Sequence, residues 1–475
     1  MPRLILAATA LLLTSLHLPA LAAEGTGEAQ FRSLYKELVE TNTTLSTGSC
    51  TLAAERVAAR LKAAGLAPSD LHLLVEPAHP KEGNLIAVYP GRNPQLKALL
   101  LLAHLDVVEA KREDWTRDPF VLVEENGNFY ARGAKDDKAL AAIYLDTLVR
   151  LASAHERPER TVKLALTCGE ETSGAFNGAE WLMQSHRDLI DAAFALNEGA
   201  HSELDAQGRH VAVEIEVGQK VYQDYWLEVT NPGGHSSRPR RDNAIYQLAG
   251  ALKRLEAFEF PAQFSDGSRA YFEGMAKIEA AQGNAQIAAA MSALLKDPPD
   301  ARALALVSSS DPGWNTTLRT TCVATMMDAG HAVNALPQRA RANVNCRIFP
   351  GGSIEAVRAR LQRVVADPQV TVTARAQHGP ALLPPPPPLG PAILGPIQQL
   401  AAEFWPGVPV LPILLTTATD AVFTNSGGIP TYGLDPVFVG PDLGNIHGLN
   451  EYVRVQSVLE GREFLFRLIK QYAAQ

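Results

Sequence analysis

Residues 98–106 read A-L-L-L-L-A-H-L-D, an apolar run that ends in a histidine and a carboxylate. A continuous apolar run of this kind is typical of a strand that is buried on both faces of a sheet. Amphipathic stretches at residues 137–151 and 176–185 predict helices. Buried strands with helices between them predict an α/β sandwich. The apolar runs that predict its strands are residues 85–89, 98–105, 162–166 and 193–196.

Side chains that can bind metal ions follow these runs. In α/β sheets, ligands bind at the carboxyl ends of the strands, so we expect these side chains to lie close together. Two imidazoles and three carboxylates suit two zinc-class ions that share a water molecule. The predicted ligands, in chain order, are His104, Asp136, Glu171, Glu198 and His447.

A pair of ions needs one ligand that contacts both, and Asp136 is the predicted bridge because a carboxylate has two oxygens. His104 and Glu198 are then assigned to one ion, and Glu171 and His447 to the other. Three carboxylates and one hydroxide would neutralise the four positive charges of two divalent cations. Neutrality matters because net charge is costly in a cleft that excludes water.

Two further carboxylates have predicted roles. Asp106 lies on the same side of an extended segment as His104, so we expect it to accept the second ring N–H of that histidine. Glu170, beside Glu171, is the predicted general base, which passes a proton from the attacking water to the leaving amine. Taken singly, His104 has an alternative role as a strand-end histidine, and the two glutamates as a solvated helix start. The ordered combination favours the metal centre, and the sequence has no G-x-S-x-G, P-loop or strand-linked G-x-G-x-x-G motif.

After residue 217 the pattern predicts a smaller α+β domain, an antiparallel sheet with helices on one face. The Ala-rich residues 258–313 predict a helical insertion in this domain. Five prolines at 384–388 predict a stiff connector back to the first domain, with a site for a proline-binding partner as the alternative. The predicted elements are strands 221–230, 319–327, 339–348 and 370–374, and helices 244–255 and 354–365.

The amino-terminal residues have the pattern of a secretory signal. Arg3 is followed by an apolar stretch, residues 4–16, that is too short to span a bilayer, and Ala20 to Ala22 offer a cleavage site. An uncleaved anchor is the alternative. We therefore expect a periplasmic or secreted enzyme with no membrane span in its mature form. The predicted divisions are a signal peptide at 1–22, the catalytic domain at 23–217 and 377–475, and the inserted lid or dimerisation domain at 218–376.

The composition excludes some classes of protein. The 475 residues are 46% hydrophobic, which is enough for a large core. The net charge of -8 and the lack of a dense basic run argue against a nucleic-acid partner, so peptides or small molecules are expected. Four cysteines do not make a disulfide scaffold. Cys322 and Cys346, on two predicted adjacent strands, could form a bridge, and Cys168 is expected to be a small buried residue.

Residues from about 32 to 472 resemble the di-zinc metallopeptidases that include glutamate carboxypeptidase, aminoacylase, carnosinase and succinyl-diaminopimelate desuccinylase. Because it has the 258–313 insertion, the chain most resembles the carboxypeptidase S and N-fatty-acyl-amino-acid hydrolase branch of this family. The resemblance implies a zinc-peptidase-like α/β/α catalytic domain with two Zn²⁺, for which Co²⁺ or Mn²⁺ could substitute. The matching motif residues are His104, Asp106, Gly133, Asp136, Lys138, Gly169, Glu170, Glu171, Glu198, Gly234, His235, Ser236, Arg347 and His447.

The resemblance also implies roles for residues of the smaller domain. In such enzymes the histidine that matches His235 stabilises the oxyanion of the tetrahedral intermediate, often across a dimer, so a homodimer is expected. The arginine that matches Arg347 binds the free carboxylate of the substrate, with Asn334 nearby. The alternative for Arg347 is a surface charge at the end of a strand.

We therefore predict an exported binuclear zinc carboxypeptidase that hydrolyses an amide bond next to a free carboxylate. The first alternative is an N-acyl-amino-acid amidohydrolase of the aminoacylase type, which differs only in what occupies the acyl side. The second is a non-catalytic binding protein of the same fold. Glu170 disfavours the second alternative, because a binding protein would not need a base beside a full ligand set.

Overall fold

The computed structural model describes residues 27–172, 175–376 and 384–475. The predicted signal peptide, residues 1–22, lies outside the described residues. None of the helices in the described part combines the length and the apolar character needed to cross a bilayer.

The strands are, in chain order, β1 Leu71–Leu74, β2 Asn84–Tyr89, β3 Leu99–His104, β4 Val123–Glu125, β5 Asn128–Tyr130, β6 Val162–Thr167, β7 Phe194–Asn197, β8 Glu203–Leu204, β9 His210–Gln219, β10 Val221–Thr230, β11 Gly234–His235, β12 Thr321–Ala329, β13 Ala335–Leu336, β14 Arg339–Ile348, β15 Thr371–Ala374, β16 Val410–Leu415, β17 Thr431–Gly433 and β18 Tyr452–Arg454. The helices are α1 Glu28–Glu40, α2 Cys50–Ala63, α3 Lys138–Ser153, α4 Gly178–Ser185, α5 Arg187–Ile190, α6 Ala244–Glu256, α7 Asp266–Ala281, α8 Ala285–Leu294, α9 Ala301–Ser310, α10 Pro312–Leu318, α11 Ile354–Val365, α12 Pro391–Phe404, α13 Ala421–Ser426 and α14 Val455–Ala473.

The large sheet has the strand order β1-β2-β6-β3-β7-β17-β9-β16, with β8 paired to β9. All six residues of β3 are buried. Leu99 and Leu101 belong to the core that includes α1, α3 and α14. Leu100 and Leu102 belong to a second core, which includes Leu182 of α4. Alternate residues therefore face opposite layers of helices, and the predicted α/β/α sandwich is confirmed.

The strand register brings the predicted site residues to one edge of this sheet. β3 pairs in parallel with β6 and with β7, and His104 lies opposite Thr167. The loop that follows β6 carries Glu170, and Glu198 follows β7 directly. Because the carboxyl ends of parallel strands meet at the same edge, these side chains lie close together.

The smaller domain contains a four-stranded antiparallel sheet with the order β12-β14-β10-β15. Strands β10 and β14 have the predicted bounds. Helices α6 and α11 cover one face, where Leu227 and Val344 of the sheet pack with Leu248 and Leu361 of the helices. The predicted α+β domain is confirmed.

The insertion is helical, as predicted, and consists of α7 to α10 with a small core around Phe272 and Met291. Helix α7 also packs against β16, an edge strand of the large sheet. A Cβ atom on Gly274 would lie 2.2 Å from Leu411 Cδ2, so any larger residue there would force the Leu411 side chain to move. The insertion therefore contacts the catalytic domain, although by sequence it belongs to the smaller one.

The four cysteines form two disulfides. Cys322 pairs with Cys346, which lies directly opposite on the neighbouring strand, as the sequence allowed. Cys168 is bonded to Cys50, so the prediction that Cys168 is only a small buried residue was wrong. The two partners are 118 residues apart, and their pairing depends on tertiary packing that leaves no local pattern in the sequence.

Candidate metal centre

The five predicted ligands converge at the carboxyl edge of the large sheet. Asp136 lies between the two histidines: its Oδ1 is 3.2 Å from His104 Nε2, and its Oδ2 is 3.0 Å from His447 Nε2. Glu198 Oε1 lies 3.7 Å from His104 Nε2. Glu171 Oε2 lies 3.0 Å from His447 Nε2. Two groups, each with one histidine and one terminal carboxylate, thus share the two oxygens of Asp136.

The spacing of these atoms fits zinc-class ions. Bonds of about 2.0–2.2 Å in a tetrahedral arrangement separate neighbouring ligand atoms by roughly 3.3–3.6 Å. The observed separations of 3.0, 3.2 and 3.7 Å lie around that range. Imidazole nitrogen and carboxylate oxygen are both accepted zinc ligands. The residues present therefore fit a pair of such ions.

The electrostatics of the centre favour positive charge. Burial, together with the neighbouring Glu170, raises the pKa of Glu198 well above its usual value. Burial acts to raise the pKa of Asp136 as well, but hydrogen bonds with His104 and His447 outweigh it and lower that pKa. Hydrogen bonds with its carboxylate partners, Asp136 first, raise the pKa of His447 to about 10. Carboxylates gathered in a buried site repel one another, and cations relieve that repulsion.

Glu170, the predicted general base, lies beside the centre. One of its carboxylate oxygens is within 4.8 Å of ligand atoms of His104 and Glu198. Burial raises the pKa of its carboxyl group well above the usual value. Its backbone N–H donates to Asp106 Oδ1 at 3.4 Å, and the N–H of Glu171 donates to Asp106 Oδ2 at 3.0 Å. The Asp106 carboxylate therefore orients the loop that carries both glutamates.

His104 is held on two sides. Its Nδ1 lies 3.0 Å from the carbonyl oxygen of Asp106 and 3.6 Å from the Oδ1 of the same residue, so the predicted carboxylate contact is the longer of the two. Its backbone N–H donates to Asp137 Oδ2 at 3.3 Å. A ring N–H that donates from Nδ1 leaves Nε2 as the acceptor that faces Asp136, which suits metal binding.

Glu451 connects the segments that carry Asp136 and His447. Its side chain is fully buried. Its Oε2 accepts a hydrogen bond of 2.7 Å from the guanidinium of Arg132, which also donates to the carbonyl oxygen of His447 at 3.2 Å. The same carboxylate accepts backbone N–H hydrogen bonds of 3.0, 2.9 and 3.2 Å from Gly133, Lys135 and Asp136.

His235 and Asn334 lie close together in the smaller domain. Strand β11, which ends at His235, pairs with β13, and Ser236 N–H donates to the Asn334 carbonyl oxygen at 3.0 Å. The His235 side chain is exposed, and its Nδ1 lies 2.8 Å from the Ser237 hydroxyl. Within the described ranges, no hydrogen bond or ion pair joins His235 to the metal ligands.

Arg347 lies near the end of β14, on the face of the small sheet that the helices do not cover. Its guanidinium carbon is 4.8 Å from the centre of the Tyr222 ring on β10. The side chain is partly buried, and this burial lowers the pKa of the guanidinium. It forms no ion pair with a carboxylate in the described part of the chain.

Residues 100–471 match the model of the peptidase family M20/M25/M40. The chain belongs to this family. The matched segment contains all five predicted metal ligands. The predicted family is confirmed, and the chain is therefore a hydrolase of the M20 class.

Individual relatives agree with the predicted branch. The mouse (Mus musculus) N-fatty-acyl-amino acid synthase/hydrolase PM20D1 is 31% identical over 391 residues, which are 80% of this M20 chain and 75% of that protein. The probable carboxypeptidase S-like 2 of Dictyostelium discoideum is 27% identical over 399 residues, 82% of this chain and 74% of that one. The present structure superposes on the crystal structure of the M20 family metallo-carboxypeptidase Sso-CP2 from Sulfolobus solfataricus with a TM-score of 0.66. The match covers 94% of this chain and 100% of that one, at 19% sequence identity. That likeness shows a shared fold.

The sequence did not predict the buried polar residues that surround the proposed metal ligands. Asp137 is buried and accepts the backbone N–H of His104. Glu451 lies four residues after His447, so its position in the ligand loop was a signal that could have been used. The buried ion pair of Lys135 and Asp435 joins residues 300 positions apart and has no such signal.

Proposed function

We propose that the chain is an exported binuclear zinc hydrolase that cleaves an amide bond next to a free carboxylate, as a carboxypeptidase does. The observation that carries the proposal is the position of Asp136, whose two oxygens face two different histidines at 3.2 and 3.0 Å. A site for one ion would not need a carboxylate shared in this way. Export is supported by the signal-like residues 1–22 and by two disulfides, which persist in oxidising compartments.

The chain's residues divide into two ligand sets. Bound ions would supply polarisation of the substrate carbonyl and acidification of the attacking water. His104 and Glu198 form one set and Glu171 and His447 the other, with Asp136 common to both.

Glu170 carries the proton transfers in this proposal. Its carboxylate is close enough to the centre to take a proton from the attacking water, and it then delivers that proton to the leaving nitrogen, so that the amine departs neutral. Asp106 holds the loop through two backbone hydrogen bonds. Because Glu170 also lies within 4.8 Å of two ligand residues, its role as base and a role as ligand must be separated by experiment.

The smaller domain supplies the substrate contacts. Arg347, unpaired and partly buried among the described residues, binds the free carboxylate through its planar guanidinium. His235 stabilises the oxyanion, and Asn334 lies beside it. Since the exposed His235 has no bond to the metal ligands of its own chain in the described ranges, we place it in the site of a second copy.

A homodimer through the smaller domain is consistent with the surface of β12. This strand is at the edge of its sheet, and Val323, Met326 and Met327 are 61–66% exposed. An exposed apolar edge strand is a template for pairing with another chain. Two β12 edges would then extend the sheet across the dimer.

Subunit mixing tests the placement of His235. His235→Ala and Glu170→Gln homodimers should each be nearly inactive. Mixed dimers should regain activity, because one of their two sites combines an intact Glu170 with the partner subunit's His235. If His235 acted within its own chain, neither site of the mixed dimer would be intact and no activity would return.

A second candidate function is an N-acyl-amino-acid amidohydrolase, which the likeness to mouse PM20D1 favours. Both candidates cleave an amide next to a free carboxylate. Hydrolysis of a panel of C-terminal dipeptides and N-acyl amino acids, with and without a chelator, separates them. The carboxypeptidase proposal requires dipeptides to be better substrates, and loss of all activity in chelator. Hydrolysis of neither class would support the binding-protein alternative.

A further inference from the structure

The disulfide between Cys50 and Cys168 lies directly behind the loop of the proposed general base. Cys168 follows the last residue of β6 and is two residues before Glu170. Cys50 is the first residue of α2, on the other side of this connection. Both cysteines are buried, at 2% and 4% exposure. The bond therefore ties the end of a central strand to the start of an outer helix.

The backbone after Cys168 has little freedom to absorb a displacement. The Cys168 N–H donates to Asn84 Oδ1 at 3.0 Å, and its carbonyl oxygen accepts from Gly178 N–H at 2.7 Å. Gly169 has a φ of 97°, and a Cβ atom there would lie 2.0 Å from the Phe176 carbonyl oxygen. A shift of Cys168 would therefore pass along the chain to Glu170.

The disulfide also lies against the carboxylate that orients the base. The two sulfur atoms and an oxygen of Asp106 all lie within 4.8 Å of one another. Asp106 accepts the backbone N–H groups of Glu170 and Glu171. Loss of the bond removes the covalent link between the start of α2 and the residue that precedes the Glu170 loop. When the bond is opened by reduction, the two thiol sulfurs, which cannot approach as closely as two bonded sulfurs, would also push into the contact with Asp106.

We propose that the Cys50–Cys168 disulfide is a positioning element for Glu170, so that hydrolysis runs at full rate only while this bond is closed. The inference rests on the proposed function, in which Glu170 is the general base. A misplacement of about 1 Å far from the reacting atoms can lower a rate by about 100-fold. We therefore expect a roughly ten- to hundredfold loss of kcat when the bond is opened, with KM and the bound metal unchanged.

The second disulfide provides a matched control. Cys322 and Cys346 are already held opposite each other by the ladder between β12 and β14, in the smaller domain. Cys50→Ala/Cys168→Ala should lower kcat as stated, whereas Cys322→Ala/Cys346→Ala should leave kcat within about twofold of the unaltered enzyme. Zinc per chain, KM and the urea midpoint of unfolding are measured on the same samples. The proposal is overturned if both variants lose kcat equally, if neither does, or if zinc is lost in proportion to kcat.

If the Cys50→Ala/Cys168→Ala variant does not fold, chemical reduction of the Cys50–Cys168 disulfide tests the proposal instead. In the Cys322→Ala/Cys346→Ala protein, tris(2-carboxyethyl)phosphine opens only the remaining disulfide. The two sulfurs gain two electrons and two protons, and the phosphine becomes its oxide with an oxygen from water. Loss of kcat that returns on reoxidation supports the proposal, and full kcat with both thiols titratable overturns it. Absence of hydrolysis by the oxidised, unaltered enzyme would instead refute the proposed function.

Discussion

The buried carboxylate of Glu451 links the segments that carry Asp136 and His447. We expect its removal to weaken the proposed metal centre although no ligand side chain is changed. Each of its oxygens accepts two hydrogen bonds. Oε2 accepts from Arg132 and from Gly133 N–H, at 2.7 and 3.0 Å. Oε1 accepts from the N–H groups of Lys135 and Asp136, at 2.9 and 3.2 Å. The Glu451→Gln substitution keeps the volume of the side chain but turns one acceptor into an NH₂ group, which faces two donors.

The expected loss of stability follows from these bonds. Two hydrogen bonds to a charged acceptor contribute about 1.5–3 kcal/mol each, so the sum for the lost pair is roughly 3–6 kcal/mol. The free-energy contributions of hydrogen bonds in one network are not additive. In the variant, Arg132 also keeps its hydrogen bonds to the carbonyl oxygens of His447 and Gly448, which reduces the loss. We therefore expect Glu451→Gln to lower the free energy of unfolding by about 3 kcal/mol. Because the free energy of unfolding of native proteins is about 5–15 kcal/mol, a loss of this size should still leave the variant folded.

Metal binding distinguishes this prediction from ordinary destabilisation. The Glu451 carboxylate holds the backbone of Asp136 and, through Arg132, that of His447, so the variant should bind zinc more weakly. A ligand at 100 times its dissociation constant stabilises the folded state by about 2.7 kcal/mol per site. Urea unfolding with and without zinc should therefore show a smaller zinc-dependent gain for Glu451→Gln than for the unaltered chain.

Asp146 offers the matched control. It forms a buried pair with Arg462, with hydrogen bonds of 2.7 and 3.3 Å, between α3 and α14. Asp146→Asn should lower stability by a comparable amount, yet zinc should stabilise it as much as it stabilises the unaltered chain. Equal zinc-dependent gains for Glu451→Gln and the unaltered chain would refute the reasoning.

Three further predictions concern the chemistry. Glu170→Gln should keep its metal ions and lose about two to four powers of ten in kcat, whereas Glu171→Gln should lose metal and activity together; loss of metal from the first variant would make Glu170 a ligand. Arg347→Ala should remove a preference for free acids over amides of roughly 1.5–3 kcal/mol, measured as kcat/KM for matched substrates; equal cleavage of both by the unaltered enzyme would contradict the carboxylate role. Elemental analysis of fully active protein should find about two zinc-class ions per chain, and one ion at full activity would remove the argument for a bridging Asp136.

The fold could be predicted where local pattern and tertiary environment agree. Residues 98–105 are apolar throughout, and the strand they form is buried on both faces. In β14, Ala342 and Val344 alternate with the polar Asn343 and Asn345, so that one face of the strand is apolar, and its observed bounds are the predicted ones. The packing of α7 on β16 has no such signal, because it depends on a gap at Gly274 and on a strand more than 100 residues later.

The residues of the candidate metal centre also differ in whether the sequence could predict them. His104, Glu171 and Glu198 were predictable because each stands at or just after the end of an apolar run, whereas Asp136 and His447 were predictable only from the ordered combination of motifs. Glu451 and Asp137 instead accept hydrogen bonds from backbone N–H groups. Every residue except proline has such a group, so the sequence does not indicate which residues these carboxylates contact. A bridge between Cys322 and Cys346 could be suggested because they lie on two predicted adjacent strands, whereas no pattern in the sequence suggested a bond between Cys168 and Cys50.

The predicted and the unpredicted residues differ in how they act, and we therefore expect them to respond differently to mutation. The proposed ligand residues act through their own functional groups, so we expect their replacement to remove the chemistry and to leave the fold largely in place. Glu451 limits the backbone position of Asp136 by a hydrogen bond, and in our proposal the Cys50–Cys168 disulfide likewise limits that of Glu170. A sub-ångström displacement in a packed core is transmitted because the surrounding atoms are close-packed. The supporting residues should therefore tolerate substitution less well in rate and metal affinity than their distance from the reacting atoms would suggest.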